Sequence, residues 1–264
     1  MDPVSRTTVT RVDGEKSRST ADDLLAVEEP LEIRIGERPL AVTMRTPGDD
    51  FELAAGFAYT ENVVAAREDV VSIRHWGSPN VVRITLRDGV KIDWQRLQRH
   101  FYAASSCGIC GKASIDSIRV HVRPLSASGT VAAEVIRALP DLARAQQKTF
   151  DATGAIHAAA LFTTSGRLLE VREDIGRHNA VDKVIGAMFL GGMTPAQDHV
   201  LFVSGRAGFE VVQKAVVAGI AVIAAVGAPS SLAVDLARQL NVTLVGFLRD
   251  GRFNVYCGED RLKS

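Results

Sequence analysis

The chain of 264 residues holds only three cysteines, has no excess of either charge, and contains no apolar run long enough to span a bilayer. Each shortage excludes something. Three thiols, one of them isolated at Cys257, cannot form the paired framework of a small secreted scaffold. Lys plus Arg and Asp plus Glu balance at 31 each, so nothing global recommends a nucleic-acid partner or an acidic membrane surface, and any anion site must be local. The longest apolar run, Val216 to Val226, is interrupted by glycine and too short to cross a membrane, so no membrane insertion is expected. No charged-then-apolar leader opens the sequence, which makes the cytoplasm the expected compartment.

The cysteines that are present are informative by their placement. Cys107 and Cys110 stand two residues apart in Ser105-Ser106-Cys107-Gly108-Ile109-Cys110-Gly111-Lys112. Thiols this close can exchange a disulfide, share a metal or pass a sulfur atom, or they can have no chemical role. The two glycines allow sharp turning, Lys112 adds a cation, and no carboxylate lies within three positions, all of which favour the thiolate.

Periodicity divides the chain in three. Residues 1–23 are polar and mixed and are expected to form a mobile tail with a short strand around Val9 to Val12. Residues 24–125 are expected to form a small α+β domain ending with the CxxC loop. Its parts are a hairpin of Leu31–Ile35 and Leu40–Met44, a helix from Pro47-Gly48-Asp49-Asp50 to Tyr59, strands Val70–His75 and Val81–Leu86, and a helix Asp93–Phe101. Pro124 to Gly129 resembles a linker. Residues 126–264 begin with a helix, pass through a strand pair Ile156–Phe162 and Leu168–Arg172, and then alternate helix and strand to Leu248, with a last strand Phe253–Tyr256. That alternation predicts an α/β domain with a buried, mostly parallel sheet.

Ligands of α/β sheets collect where strands end and helices begin. Ser204-Gly205-Arg206-Ala207-Gly208 follows a predicted core strand and offers glycine backbone, a hydroxyl and a guanidinium, although Arg206 could equally pair with a carboxylate in a tight turn. Glu173-Asp174-Ile175-Gly176-Arg177-His178-Asn179 is a second such junction, with His178 expected to organise the loop rather than act as a base. Phe247-Leu248-Arg249-Asp250-Gly251-Arg252 is a third, either an arginine-bearing site or a solvated tip. None is a Walker loop or a complete GxGxxG. A zinc deaminase would need H-x-E followed by P-C-x-x-C, but Ala159 stands at the Glu position after His157 and the CxxC precedes the histidine, so no bound metal is expected.

Taken together, Phe51-Glu52-Leu53-Ala54-Ala55-Gly56-Phe57, Cys107-Gly108-Ile109-Cys110-Gly111, Thr153-Gly154 with His157-Ala158-Ala159-Ala160, Glu173 to His178, Ser204-Gly205-Arg206 with Val212-Gln213-Lys214, and Thr243 to Phe247 resemble the FdhD family of sulfur carriers for formate dehydrogenase maturation. The resemblance implies a cytidine-deaminase-like three-layer C-terminal domain beside the smaller α+β domain, and a homodimer. It implies a persulfide on Cys107, supplied by a cysteine desulfurase and passed to the molybdenum cofactor, bis-molybdopterin guanine dinucleotide, before insertion into formate dehydrogenase. Cys110 is expected to assist. Cofactor binding is carried onto Val245, Gly246, Phe247, Leu248, Arg249, Asp250, Gly251 and Arg252, and onto Ser204, Arg206 and His178. The competing readings are a cofactor chaperone without sulfur chemistry and a thiol-disulfide oxidoreductase.

Overall fold

The computed structural model describes residues 1–14, 17–95, 97, 124–126 and 129–263. The Cys107–Cys110 run and all but the start of the predicted helix Asp93–Phe101 lie outside these residues.

The first element differs from expectation. The predicted tail forms a hairpin of β1 (Val4–Asp13) and β2 (Ser17–Ala26), paired antiparallel along their whole length. The Thr- and Val-rich first strand has the composition that favours an extended chain, and it outweighs the polarity from which a tail is inferred.

In β3 (Glu29–Ile35), Leu31, Ile33 and Ile35 are buried in strict alternation, and the turn at Gly36 (φ 56°) leads into β4 (Arg38–Arg45). With β5 (Val70–Trp76) and β6 (Ser78–Leu86) they make a four-stranded sheet in the order β4-β3-β6-β5. Helix α1 (Asp50–Thr60) is buried on nearly every side because it lies between this sheet and a helix of the second half.

The second half contains helices α2 (Ala133–Arg144), α3 (Lys148–Thr153), α4 (Arg177–Leu190), α5 (Phe209–Val217) and α6 (Ser231–Gln239). A short β7 (Val131–Ala132) precedes α2. The main strands are β8 (His157–Thr163), β9 (Leu168–Asp174), β10 (His199–Val203), β11 (Val222–Ala225), β12 (Thr243–Arg249) and β13 (Arg252–Cys257). Their order is β13-β12-β11-β10-β8-β9. Finally, β14 (Leu262–Lys263) runs parallel to β7.

The sheet is mixed, which corrects the expectation of a mostly parallel one. Only β10, β11 and β12 run parallel to one another, while β8 meets both β9 and β10 antiparallel and β13 meets β12 antiparallel. Turns as short as those at Thr164-Ser165-Gly166 and Asp250-Gly251 can join only antiparallel neighbours. Side-chain alternation sends Ala159, Leu161, Val203 and Ile223 toward α4, α5 and α6, and Ala160, Phe162, Phe202 and Ala224 toward α2. The first of these two cores runs without a break into α1 and the four-stranded sheet.

The halves meet where α1 crosses α4. A Cβ on Gly56 would stand 1.8 Å from the Asp182 carbonyl oxygen, and one on Gly186 would stand 1.8 Å from that of Glu52. Backbone packs directly on backbone there. Beside the crossing, Lys214 Nζ donates to Asp182 Oδ1 and Oδ2 and to Thr60 Oγ1, each at 2.9 Å, so one buried network pins α1, α4 and α5 together. Burial works against the Lys214 charge, but Asp182 and Glu61 outweigh it and raise the ammonium's pKa.

Candidate functional site

The C-terminal ends of the three parallel strands lie on one edge, and the chain sews them together there. Gly227 N donates to Gly205 O at 3.0 Å, Ser230 N to Ala207 O at 3.1 Å, and Phe247 N to Gly227 O at 3.1 Å. The glycines make this closeness possible. A Cβ on Gly227 would lie 3.0 Å from Gly205 O, and one on Gly246 would lie 2.9 Å from the Pro229 ring. The sequence-predicted junctions Ser204–Gly208 and Phe247–Arg252 are therefore neighbours, joined by a Gly227-Ala228-Pro229 turn that carries no motif.

Not every predicted residue presents a side chain at this edge. Val245 and Leu248 are buried in the core beneath α2, so only their backbone can meet a ligand. Phe247 has a left-handed backbone (φ 52°) that turns its ring outward, 39% exposed, with the Arg249 guanidinium 5.9 Å from the ring centre. Asp250 is also left-handed (φ 53°), and Arg252 lies 4.0 Å from it across an exposed tip. Arg206 is exposed and has no hydrogen-bond or ion-pair partner among the described residues.

The turn from Glu173 to Asn179 supplies the other wall. Its acidic residues hold structure. Glu173 accepts from the backbone N–H groups of Thr149 and Phe150, both at 2.8 Å, and so fixes the start of α3. Asp174 is fully buried and accepts from Gly176 N (2.8 Å), Asn179 Nδ2 (2.9 Å), Thr46 N (3.2 Å) and Lys183 Nζ (2.9 Å). Burial pushes the Asp174 carboxyl above the usual range, although Lys183 and these donors pull the other way. Lys183 also donates to Thr46 O at 2.9 Å, so the turn is anchored on the first half of the chain.

Held in this way, Arg177 and His178 begin α4 facing the glycine loop. His178 Nε2 lies 3.0 Å from Glu210 Oε2, which ties the start of α4 to α5. Arg177 has no partner among the described residues, and its Nε is buried. His157 opens β8 directly opposite Gly205, where a Cβ would stand 3.3 Å from His157 Nδ1 and 3.9 Å from Arg177 Cδ. Burial lowers the His157 pKa, and the neighbouring Arg177 and His178 lower it further against the opposing pull of Asp174. The edge thus gathers two guanidinium groups without counterions among the described residues and an imidazole whose protonation is opposed, an arrangement suited to an anion. Among the described residues no cluster of three or more His, Cys, Asp or Glu could hold a metal ion.

A cavity of about 590 Å³ opens beside His157 and Ser204 and extends under α2 to the start of α3. Ser204 is fixed in its wall by exchange with β8, its Oγ accepting from Ala158 N and its N donating to Ala158 O, each at 2.9 Å. The α2–α3 corner carries no motif, and nothing in the sequence pointed to it. Arg177 and His157 were visible as polar residues in their motifs, but only the fold shows that they converge.

These features define a mixed α/β protein whose glycine-built strand ends frame a cationic edge and an adjoining cavity. A model of the FdhD/NarQ family matches residues 26–263, and the chain belongs to that family. It is 52% identical over 255 residues to a Streptomyces coelicolor protein named sulfur carrier protein FdhD, covering 92% of this chain and 90% of the relative. A Mycobacterium tuberculosis protein of the same name is 52% identical over 256 residues, covering 92% and 93%. The fold matches a crystal structure from Desulfotalea psychrophila, designated a candidate formate dehydrogenase accessory protein, with a TM-score of 0.82 at 24% identity over 99% of this chain and 100% of that one.

Proposed function

We propose that this protein is a sulfur carrier for formate dehydrogenase maturation, acting through a persulfide on Cys107. The observation that carries the reading is membership of the FdhD/NarQ family together with relatives named sulfur carriers, in a chain that keeps a Cys107–Cys110 pair. In the first step the Cys107 thiolate attacks the terminal sulfur of a cysteine desulfurase persulfide. One S–S bond breaks as another forms, and the desulfurase thiolate leaves, with no net oxidation. In delivery the Cys110 thiolate attacks the inner sulfur of the Cys107 persulfide. The outer sulfur departs as sulfide to the molybdenum cofactor, the two cysteines become a disulfide that has supplied two electrons, and a thiol reductant restores them.

The cargo, bis-molybdopterin guanine dinucleotide, is a polyanion, and the guanidinium groups of Arg177 and Arg206 with the backbone of Gly205, Gly227 and Gly246 suit its phosphates. Phe247, Arg249 and Arg252 border the same edge. The sheet with α2 on one face and α4 to α6 on the other supports a cytidine-deaminase-like reading of the second domain, and the family supports a cytoplasmic homodimer that meets formate dehydrogenase as its client.

Intact-mass measurement after incubation with an active cysteine desulfurase and cysteine tests the reading. A gain of one sulfur atom, removable by reductant, mapped to Cys107 and missing from Cys107→Ala, is expected. No gain favours a chaperone that binds cofactor without sulfur chemistry, and a loss of two hydrogens favours disulfide exchange. If Cys110→Ala delivers sulfur as well as the wild type, Cys110 has no assisting role.

A further inference from the structure

Of the five lysine and arginine side chains that the described residues bury, four have a carboxylate and one does not. Arg45 pairs with Asp50 at 2.8 Å, Arg83 with Glu37 at 2.6 Å, Lys183 with Asp174 at 2.9 Å and Lys214 with Asp182 at 2.9 Å. Arg261, 3% exposed, forms no ion pair among the described residues. Its Nη1 reaches only two neutral oxygens at the limit of hydrogen-bond distance, Asn241 Oδ1 at 3.4 Å and Thr243 Oγ1 at 3.5 Å. Its Nε and Nη2 are buried and have no acceptor among the described residues. A guanidinium taken from water without an anion strongly opposes folding, which is why buried charges are paired.

The backbone dictates this burial. Gly258 is left-handed (φ 69°), and a Cβ there would stand 2.6 Å from Thr243 Oγ1, so the chain leaving β13 folds tightly against the start of β12. Directly afterwards β14 pairs with β7, Leu262 beside Val131, and Arg261 is carried inside. The acids next to it in sequence, Glu259 and Asp260, are exposed and do not pair with it. Cys257 supplies no thiolate, because its Sγ donates to Val242 O at 3.3 Å and burial raises its pKa.

We infer that Arg261 is the centre of a binding site for a small inorganic anion of the size of chloride, enclosed between the start of β12 and β14. On a guanidinium, Nε–H and the nearer N–H of Nη2 lie on one edge and point the same way. The two nitrogens without acceptors therefore form a single fork for one acceptor. Charge sets the class of that acceptor, since the only oxygens within reach of the guanidinium are an amide and a hydroxyl. Access sets its size. Neither nitrogen of the fork meets solvent, so a phosphate or carboxylate attached to a larger molecule has no way in, whereas a monatomic ion can be enclosed as the chain closes. Thr243 Oγ1 also donates to Gly258 O at 2.7 Å and Asn241 Nδ2 to Leu125 O at 2.8 Å, so an ion held by Arg261 braces the place where the first half leads into the second. The site lies at the opposite end of β12 from Phe247–Arg252 and shares no residue with the sulfur-carrier reading.

Thermal unfolding of the full chain in sodium chloride and in sodium gluconate at equal ionic strength tests this site. Once chloride exceeds its dissociation constant, each ten-fold rise is expected to raise the wild-type melting temperature by about 3 °C relative to gluconate. Arg261→Met should remove that dependence. Arg206→Ala, which alters the cationic edge instead, should keep it. The reverse pattern, dependence lost in Arg206→Ala and kept in Arg261→Met, would put the ion at the edge and overturn the inference. Wild-type crystals grown in sodium bromide give a readout that needs no variant to fold, and an anomalous peak within hydrogen-bond reach of Arg261 Nε and Nη2 is expected. A wild-type melting temperature indifferent to chloride, or a fork without bromide, overturns the inference as well.

Discussion

At the scale of single residues, the polar side chains divide into those that hold the edge together and those it leaves free. Glu173 and Asp174 spend every oxygen on backbone, Lys183 or Asn179, whereas Arg177 and Arg206 keep their charges unmatched among the described residues. His157 sits between these classes and should betray itself in the pH dependence of stability. Its folded pKa lies below the unfolded value of 6.5 because burial first, and then the neighbouring Arg177 and His178, oppose protonation. Above about pH 6.5 the imidazole is neutral in both states and the folded protein loses nothing. As the pH falls through 6.5 toward the folded value, the unfolded chain takes up a proton that the folded chain refuses, and stability declines. Denaturant titrations of wild type and His157→Gln between pH 8 and pH 5 should therefore show a shallower acid loss in the variant, and parallel curves would contradict this account. Sequence could not have sorted these residues. Glu173, Asp174 and Arg177 share one motif dense with polar groups, and only the fold separates a buried carboxylate hub from a guanidinium without a partner among the described residues.

At the scale of elements, hydrophobic periodicity carried most of the fold. Strict alternation in Leu31-Glu32-Ile33-Arg34-Ile35 placed a strand, the turn at Gly36 placed its antiparallel neighbour, and the turn at Asp250-Gly251 placed the last strand beside β12. The hairpin of β1 and β2 escaped because most of its side chains face solvent, so there was no buried stripe to see. The pairing of β7 with β14 escaped because two residues on each strand make no pattern at all. The crossing of α1 and α4 was legible only as a run of small residues around Gly56, with no indication of what packed against it. It makes a clear prediction. Gly to Ala inside a helix ordinarily stabilises by about 1 kcal/mol, but a Cβ at Gly56 or Gly186 has only a carbonyl 1.8 Å away to meet. Gly56→Ala and Gly186→Ala should each destabilise by about 3 kcal/mol, as overpacked cores do. Urea unfolding of either variant at or above wild-type stability would show that the helices can separate without cost.

At the scale of the whole molecule, the two halves that composition divides near Pro124 to Gly129 share one continuous core and two buried ionic ties. Asp174 and Lys183 reach across to Thr46, and Lys214 with Asp182 reaches across to Thr60. This joins the cationic edge, built from the second half, to a scaffold that depends on the first. The sequence showed a linker and a change of pattern but not this dependence, because contacts more than a hundred residues apart leave no local signature. Such a chain should unfold in one step, with calorimetric and van't Hoff enthalpies in agreement. Lys214→Met sharpens the expectation. It leaves Asp182 buried and unpaired at the junction of α1, α4 and α5, which costs about 3–5 kcal/mol in comparable buried pairs. Combining it with Asp182→Leu should recover much of the loss, since an apolar pair of similar volume carries no stranded charge. If the halves are coupled as the shared core requires, calorimetry of Lys214→Met will show one transition moved to lower temperature. Two separated transitions, with only the first displaced, would mean that the halves fold independently and that the edge needs no support from the first.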